Sequence, residues 1–263
     1  MDAVVPPGPC CLFFDIDGTI ARNEQPPSAE TVRALHALQK AGHRVVICTG
    51  RTMCDIYTTL LDVGFDAVIA GAGSYVVAGV QEVYHGFLPT GLLRQTVAGM
   101  LQHGFSGVLE GTGNIYLVPG KVPLPAGWPH LAGLEEVGPH LEVEKFTIHT
   151  TGHAHIEEVL QTMPLLRQYY ETYPSNSGGL CEFVLKGRNK AFGMDRALEH
   201  FGISRKNSIA FGDSMNDEAM LRHAAVGVAM GDAPQPLRAL ADYVTAPLEG
   251  EGVAAALLYL GML

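Results

Sequence analysis

Four short stretches carry residue types able to do chemistry together. The first is Asp15-Ile16-Asp17-Gly18-Thr19-Ile20, at the end of an apolar run that begins at Cys10. Two carboxylates two residues apart share one side of a regular strand, and a glycine after them turns the chain and re-aims the second. Such a pair is also an oxygen site for a hard cation. The second is Thr49-Gly50-Arg51, where a hydroxyl and backbone N–H groups at a strand-to-helix junction suit the oxygens of a phosphoryl group. The third is Lys190, a compact positive charge that can offset such a group. The fourth is Gly212-Asp213-Ser214-Met215-Asn216-Asp217, which brings two more carboxylates to the end of another apolar run. Each has a plainer reading: a polar turn, a helix cap, a surface lysine and a capped loop. What joins them is that each stands where a strand ends or a helix opens.

The elements that must position these residues follow from hydrophobic patterning. Cys10 to Ile16, His43 to Cys48 and Asp66 to Ala70 read as buried strands. Between them lie a helix capped by Ser28, with Val32, Leu35 and Leu38 on one face, and a helix expected from about Thr52 to Val63. The alternation returns after residue 187. There the pattern predicts helices at Lys190 to His200, Asp217 to His223, Pro236 to Ala241 and Gly252 to Leu260. Strands are predicted at Ser208 to Phe211, Ala225 to Met230 and Asp242 to Thr245. Strands alternating with helices through short links predict an α/β fold, a Rossmann-like parallel sheet covered on both faces. In such sheets ligands bind beyond the carboxyl ends of the strands, where the four stretches lie. From about Gly79 to Gly187 the texture changes to a chain rich in proline and glycine. This predicts a separate α+β domain spanning residues 80–187, inserted into a core made of residues 1–79 and 188–263.

A formal charge of −10 argues against a nucleic-acid partner, since phosphate backbones demand clustered Lys and Arg. It leaves room for a small phosphorylated substrate, because a cation and one lysine can make a site locally positive. No apolar run is long enough to span a bilayer, and the first residues lack a signal-peptide pattern. Five cysteines, an odd number mostly inside apolar runs, read as buried thiols rather than a disulfide framework, and the expected location is cytoplasmic.

At these residues the chain resembles the haloacid dehalogenase (HAD) superfamily of phosphotransferases, with the four motifs in that superfamily's order. The position of the insertion is similar to the type IIB cap of its Cof-like sugar phosphatases. The resemblance implies that Asp15 is a nucleophile and Mg²⁺ ligand, and that Asp17 is general acid and base with its backbone carbonyl on the metal. It further implies that Thr49 and Lys190 hold the phosphoryl oxygens, and Gly50 and Arg51 are expected as further phosphate- or substrate-binding residues. Asp213 would ligate Mg²⁺, Asp217 would support the metal site, and Asn216 would contact phosphate or orient Lys190. The expected reaction is Mg²⁺-dependent hydrolysis of a small phosphomonoester, such as a sugar phosphate, through an aspartyl-phosphate. A phosphomutase of the same superfamily and a non-catalytic phosphometabolite-binding protein are the alternatives. Related chains commonly carry Asn-Gly-Ala after the third strand, where Ala72-Gly73-Ser74 stands here; this departure bears on specificity and leaves the four motifs intact.

Weaker candidates lie in the insertion. His149, His153 and His155 form a small cluster, and His-x-His would put two imidazoles on one face of a strand, but no third zinc ligand declares itself. Lys186 and Arg188 read as ordinary surface charge or as contacts to an anionic substrate. Trp128 reads as a packing residue in a proline-rich loop.

Overall fold

The structure, a computed structural model, describes residues 8–150, 153–175 and 179–263. In chain order the strands and helices are β1 (Cys11–Phe14), α1 (Ala29–Lys40), β2 (Arg44–Cys48), α2 (Thr58–Leu61), β3 (Ala67–Ala70), β4 (Tyr75–Ala78) and β5 (Gln81–His85), then α3 (Thr90–His103), β6 (Ser106–Glu110), β7 (Ile115–Val118), β8 (Lys145–His149), α4 (His153–Thr162), α5 (Pro164–Tyr169), β9 (Tyr170–Pro174) and β10 (Leu180–Leu185). The chain closes with α6 (Lys190–Phe201), β11 (Ser208–Gly212), α7 (Glu218–His223), β12 (Val226–Ala229), α8 (Gln235–Leu240), β13 (Tyr243–Val244) and α9 (Gly252–Tyr259). The chain divides into two compact units. One comprises residues 1–51, 55–85 and 189–263, and the other residues 52–54 and 86–188.

The first unit holds an eight-stranded sheet in the order β13-β12-β11-β1-β2-β3-β4-β5. Six strands are parallel, and β4 and β5 add an antiparallel hairpin at one edge. Strand β5 thus lies beyond Gly79, where the sequence alone places the edge of the core. All four residues of β1 are fully buried, as are the apolar positions of its neighbours, which is why these strands read as unbroken hydrophobic runs. Phe14 and Phe211 stack across the β1–β11 pair with ring centroids 4.7 Å apart. Helix α1 starts where Ser28 accepts a hydrogen bond from the Thr31 N–H and buries Thr31, Ala34, Leu35 and Leu38.

The long helix expected from Thr52 to Val63 does not form. A 3₁₀ turn at Met53–Asp55 precedes α2, which is four residues long. The Asp55 carbonyl accepts from the Arg51 guanidinium at 3.1 Å, a side-chain contact that competes with a helical partner for it.

The inserted unit is a five-stranded antiparallel sheet, β7-β6-β8-β10-β9, with α3, α4 and α5. Its core is its own: Phe146 and Phe183 stack at 4.9 Å, and Tyr170 meets Phe146 edge-on while its hydroxyl shares a hydrogen bond with Thr96. Residues 153–155 open a helix, so the strand assumed for His-x-His is absent. Lys186 and Arg188 donate to the carbonyls of Arg167 and Phe87, both at 2.7 Å. Trp128, expected to pack, is 42 % exposed. None of the five cysteines forms a disulfide, and all but Cys54 are buried. Among the described residues no helix is long and apolar enough to cross a membrane.

Candidate active site

Three strand ends meet where the order of the sheet reverses, with β1 at the centre and β2 and β11 beside it. The pairing runs one residue past the strands. The Asp15 N–H donates to the Phe211 carbonyl at 3.0 Å, and the Thr49 N–H to the Ile69 carbonyl at 2.9 Å. This fixes Asp15 and Thr49 on adjacent strand ends. Gly18 then turns the chain at φ +92°, and a Cβ there would lie 2.3 Å from the Asp213 Oδ2. Glycine is what allows the first motif to close on the fourth. The Thr19 hydroxyl donates to the Asp213 Oδ1 at 3.4 Å.

Lys190 enters from the first turn of α6, which Asn189 caps by accepting from the Phe192 N–H. Its side chain is fully buried, and Nζ donates to Asp15 Oδ1 at 2.6 Å and to Asp217 Oδ1 at 2.5 Å. The other oxygen of Asp217 accepts the backbone N–H groups of Asp213 and Ser214, each at 3.0 Å. The capped-loop reading of this stretch therefore holds for one Asp217 oxygen, while the other faces the lysine. Burial opposes the charge on Lys190, but Asp15 and Asp217 outweigh it and hold the ammonium well above the ordinary lysine range. Burial, opposed by Lys190 and reinforced by Asp217 and Asp213, pushes the Asp15 carboxyl well above the usual carboxylate range. Asp213 is pushed up to about 7, first by burial and then by Asp217.

The Thr49 hydroxyl oxygen accepts the Arg51 N–H at 3.1 Å, which leaves its proton for another acceptor. Gly50 continues this turn, half-buried. Asn216 accepts from the Ser214 hydroxyl at 2.8 Å, while the lysine ammonium donates to the two aspartates, so the orienting of Lys190 falls to Asp15 and Asp217. Asp17 and Arg51 meet each other: Arg51 Nε and Nη2 donate to the two Asp17 oxygens at 2.7 and 2.9 Å. Two residues of the site lie outside the four motifs. Asp55 braces Arg51, and the i, i+4 spacing of the two was its available signal. Gly73 lets the turn after β3 touch the start of α6, since a Cβ there would lie 2.2 Å from the Asn189 carbonyl oxygen; this contact had no local signal.

Among the described residues, Asp15, Asp213 and Asp217 form a group whose carboxylate oxygens lie within 4.8 Å of one another. Three carboxylates against one lysine leave an excess of negative charge in a buried site lined with hard oxygen donors, and that donor set fits Mg²⁺. The Asp17 carboxylate stands outside this group, on Arg51.

The chain is similar to known proteins along nearly its whole length. The Bacillus subtilis (strain 168) protein YkrA is 29% identical over 262 residues, covering 96% of this chain and 98% of its own. The 5-amino-6-(5-phospho-D-ribitylamino)uracil phosphatase YitU of the same strain is 26% identical over 261 residues, covering 94% and 95%. A solved sugar phosphatase of HAD subclass IIB superposes with a TM-score of 0.82 at 30% identity, covering 97% of this chain and 100% of the other. The model of the haloacid dehalogenase-like hydrolase family matches residues 12–257. With nearly its whole length matched, the chain belongs to the haloacid dehalogenase-like hydrolases and is by class a phosphoric monoester hydrolase.

Proposed function

We propose that the protein hydrolyses a small phosphomonoester, a sugar phosphate or related metabolite, through an aspartyl-phosphate formed on Asp15. The observation that carries this reading is the Lys190 ammonium bonded to both Asp15 and Asp217 inside a buried group of carboxylates. The sugar-phosphate class draws on the solved subclass IIB sugar phosphatase.

A carboxylate oxygen of Asp15 attacks phosphorus, and the bond from phosphorus to the ester oxygen breaks. Protonated Asp17 gives its proton to that departing oxygen, and the alcohol leaves. In the second half Asp17, now a carboxylate, takes a proton from water as the water oxygen attacks phosphorus. The bond to Asp15 breaks, which restores Asp15 and frees inorganic phosphate. Thr49 donates its hydroxyl proton to a phosphoryl oxygen, and Lys190 offsets the dianion that would otherwise repel the incoming carboxylate. Asp15, Asp213 and the Asp17 backbone carbonyl would hold Mg²⁺, with Asp217 supporting them; when bound, the ion supplies further charge neutralisation. Asn216, on the same loop as Asp213 and Asp217, would contact the phosphoryl group.

The test is phosphate release from a panel of phosphorylated sugars, nucleotides and cofactors, with Mg²⁺ or EDTA. At least one small monoester is turned over, and both EDTA and Asp15→Asn abolish it. An Asp15→Asn variant as active as wild type overturns the mechanism.

A further inference from the structure

The geometry points to Arg51 as the positioning residue for Asp17 rather than as a ligand of the phosphoryl group. The inference rests on the reading of Asp17 as general acid and base. Nε and Nη2 take the two Asp17 oxygens in a fork, at 2.7 and 2.9 Å. Nη1 is spent on the Asp55 side chain and carbonyl, at 3.2 and 3.1 Å, and the guanidinium lies over the Tyr57 ring, 5.9 Å from its centroid. Of five N–H donors these contacts engage three nitrogens, so Arg51 cannot present its fork to a phosphate without releasing Asp17. The backbone of Arg51 is fixed as well, with its N–H on the Thr49 hydroxyl and its carbonyl accepting from the Gly71 N–H at 2.7 Å.

Asp17 needs such a brace. Its side chain is 45% exposed, whereas that of Asp15 is 8% exposed and held by a buried lysine. A half-exposed carboxylate explores several rotamers, and proton transfer works only from the one within reach of the ester oxygen. A bidentate arginine fixes both oxygens in one plane and leaves each a second lone pair on its outer edge for proton transfer. One tripeptide thus supplies the hydroxyl for the phosphoryl group, from Thr49, and the brace for the proton carrier, from Arg51.

The test is the dependence of kcat on the leaving group, across aryl phosphates from p-nitrophenyl to phenyl phosphate and on to β-glycerophosphate. A p-nitrophenolate leaves without a proton, whereas phenolate and alkoxide leave slowly without one. In wild type the dependence is shallow. Asp17→Asn and Arg51→Gln both steepen it, with losses of about 10² or more on the poorest leaving group and under tenfold on p-nitrophenyl phosphate. Arg51→Lys stays steep, because a point charge cannot hold both oxygens. Inorganic phosphate inhibits Arg51→Gln within threefold of its wild-type potency, and in the Asp17→Asn background Arg51→Gln adds no further steepening. A tenfold weaker inhibition by inorganic phosphate with equal losses across the series would make Arg51 a phosphate ligand and overturn the inference. A shallower series or faster turnover in Arg51→Gln would make the pair a restraint and overturn it too. If Asp17→Asn itself leaves the series shallow, the acid–base reading of Asp17 fails, which is a separate result from a shallow Arg51→Gln beside a steep Asp17→Asn.

Discussion

At the scale of single residues the site is organised by unbalanced charge. Asp15 and Asp217 are each within 2.6 Å of one buried ammonium, and burial, followed by Asp217, pushes the Asp213 carboxyl up to about 7. Removing water makes the lysine's attraction stronger and the carboxylates' mutual repulsion costlier, so the lysine alone does not satisfy the cluster. The departure noted at Ala72 belongs to this scale. Ala72 is buried at φ +52°, ψ +34°, the left-handed region that alanine enters at a cost of about 1–2 kcal/mol and that asparagine and glycine enter more readily. An asparagine or glycine at this position would fit the backbone better than alanine does. Ala72→Gly is expected to raise the urea midpoint, by about 1 kcal/mol or less once the added freedom of the unfolded chain is counted. An unchanged or lower midpoint would mean that the turn holds no strain.

At the scale of elements, the reach of Lys190 depends on how closely α6 approaches the turn after β3. The contact is backbone on backbone, Gly73 against the Asn189 carbonyl, with Gly193 one turn along the helix and its missing Cβ only 2.3 Å from Ile69. A methyl group at residue 73 must push the start of α6 away, and Lys190 moves with it. Gly73→Ala should cost on the order of 2 kcal/mol, seen in a thermal melt, and lower kcat by tenfold or more. Gly64→Ala is the control: its φ is also positive, at +83°, yet nothing lies within 4 Å of its added Cβ. It should lose stability through backbone strain and keep kcat. Equal effects on kcat from the two would remove the positioning role of the Gly73 contact. The broken helix before β3 has the same logic, since a side chain from Arg51 takes the carbonyl of Asp55 that a continuous helix would need for itself.

At the scale of the whole molecule, proton and metal would compete for one cluster of carboxylates if the proposed Mg²⁺ site is right, and folding stability would feel both. For Asp213 the folded value of about 7 lies above the ordinary 3.8, so the metal-free folded protein holds a proton that the unfolded chain has released. This contribution is fully present below about pH 4 and is lost as pH rises through about 7. A divalent cation binds the ionised form and displaces the proton, so its stabilisation grows over the same range. The rise in Tm on adding Mg²⁺ should therefore be small at pH 5.5 and larger at pH 8, and Asp213→Asn should flatten it. A Mg²⁺ increment independent of pH, or one intact in Asp213→Asn, would separate Asp213 from the cation. Taken as a difference with and without Mg²⁺ at each pH, the effect is free of groups that titrate away from the cluster, while Asp15, whose carboxyl is also raised, adds to it in the same direction.

What the sequence determines by itself is local. Strands β1, β2, β3 and β11 are contiguous apolar runs because both faces of their sheet are covered, and a motif that ends such a run is thereby placed at the sheet's carboxyl edge. Asp15, Asp17, Thr49, Asp213 and Asp217 follow such runs, whereas Lys190 stands at the start of α6, and their expected roles come from the family resemblance. The hairpin β4–β5 was less legible, since its exposed, polar outer strand carries no buried run and falls where the texture of the chain already changes. Only the tertiary structure decides which charges meet. Lys190 and Asp15 are 175 residues apart, and Asp17 and Arg51 are 34 apart, so their pairing depends on the order of strands in the sheet rather than on any spacing along the chain. The proposed role of Arg51 as the brace of Asp17, in place of the expected phosphate contact, is of that kind. A guanidinium reads the same in sequence whichever anion it faces, and the fold chooses the anion.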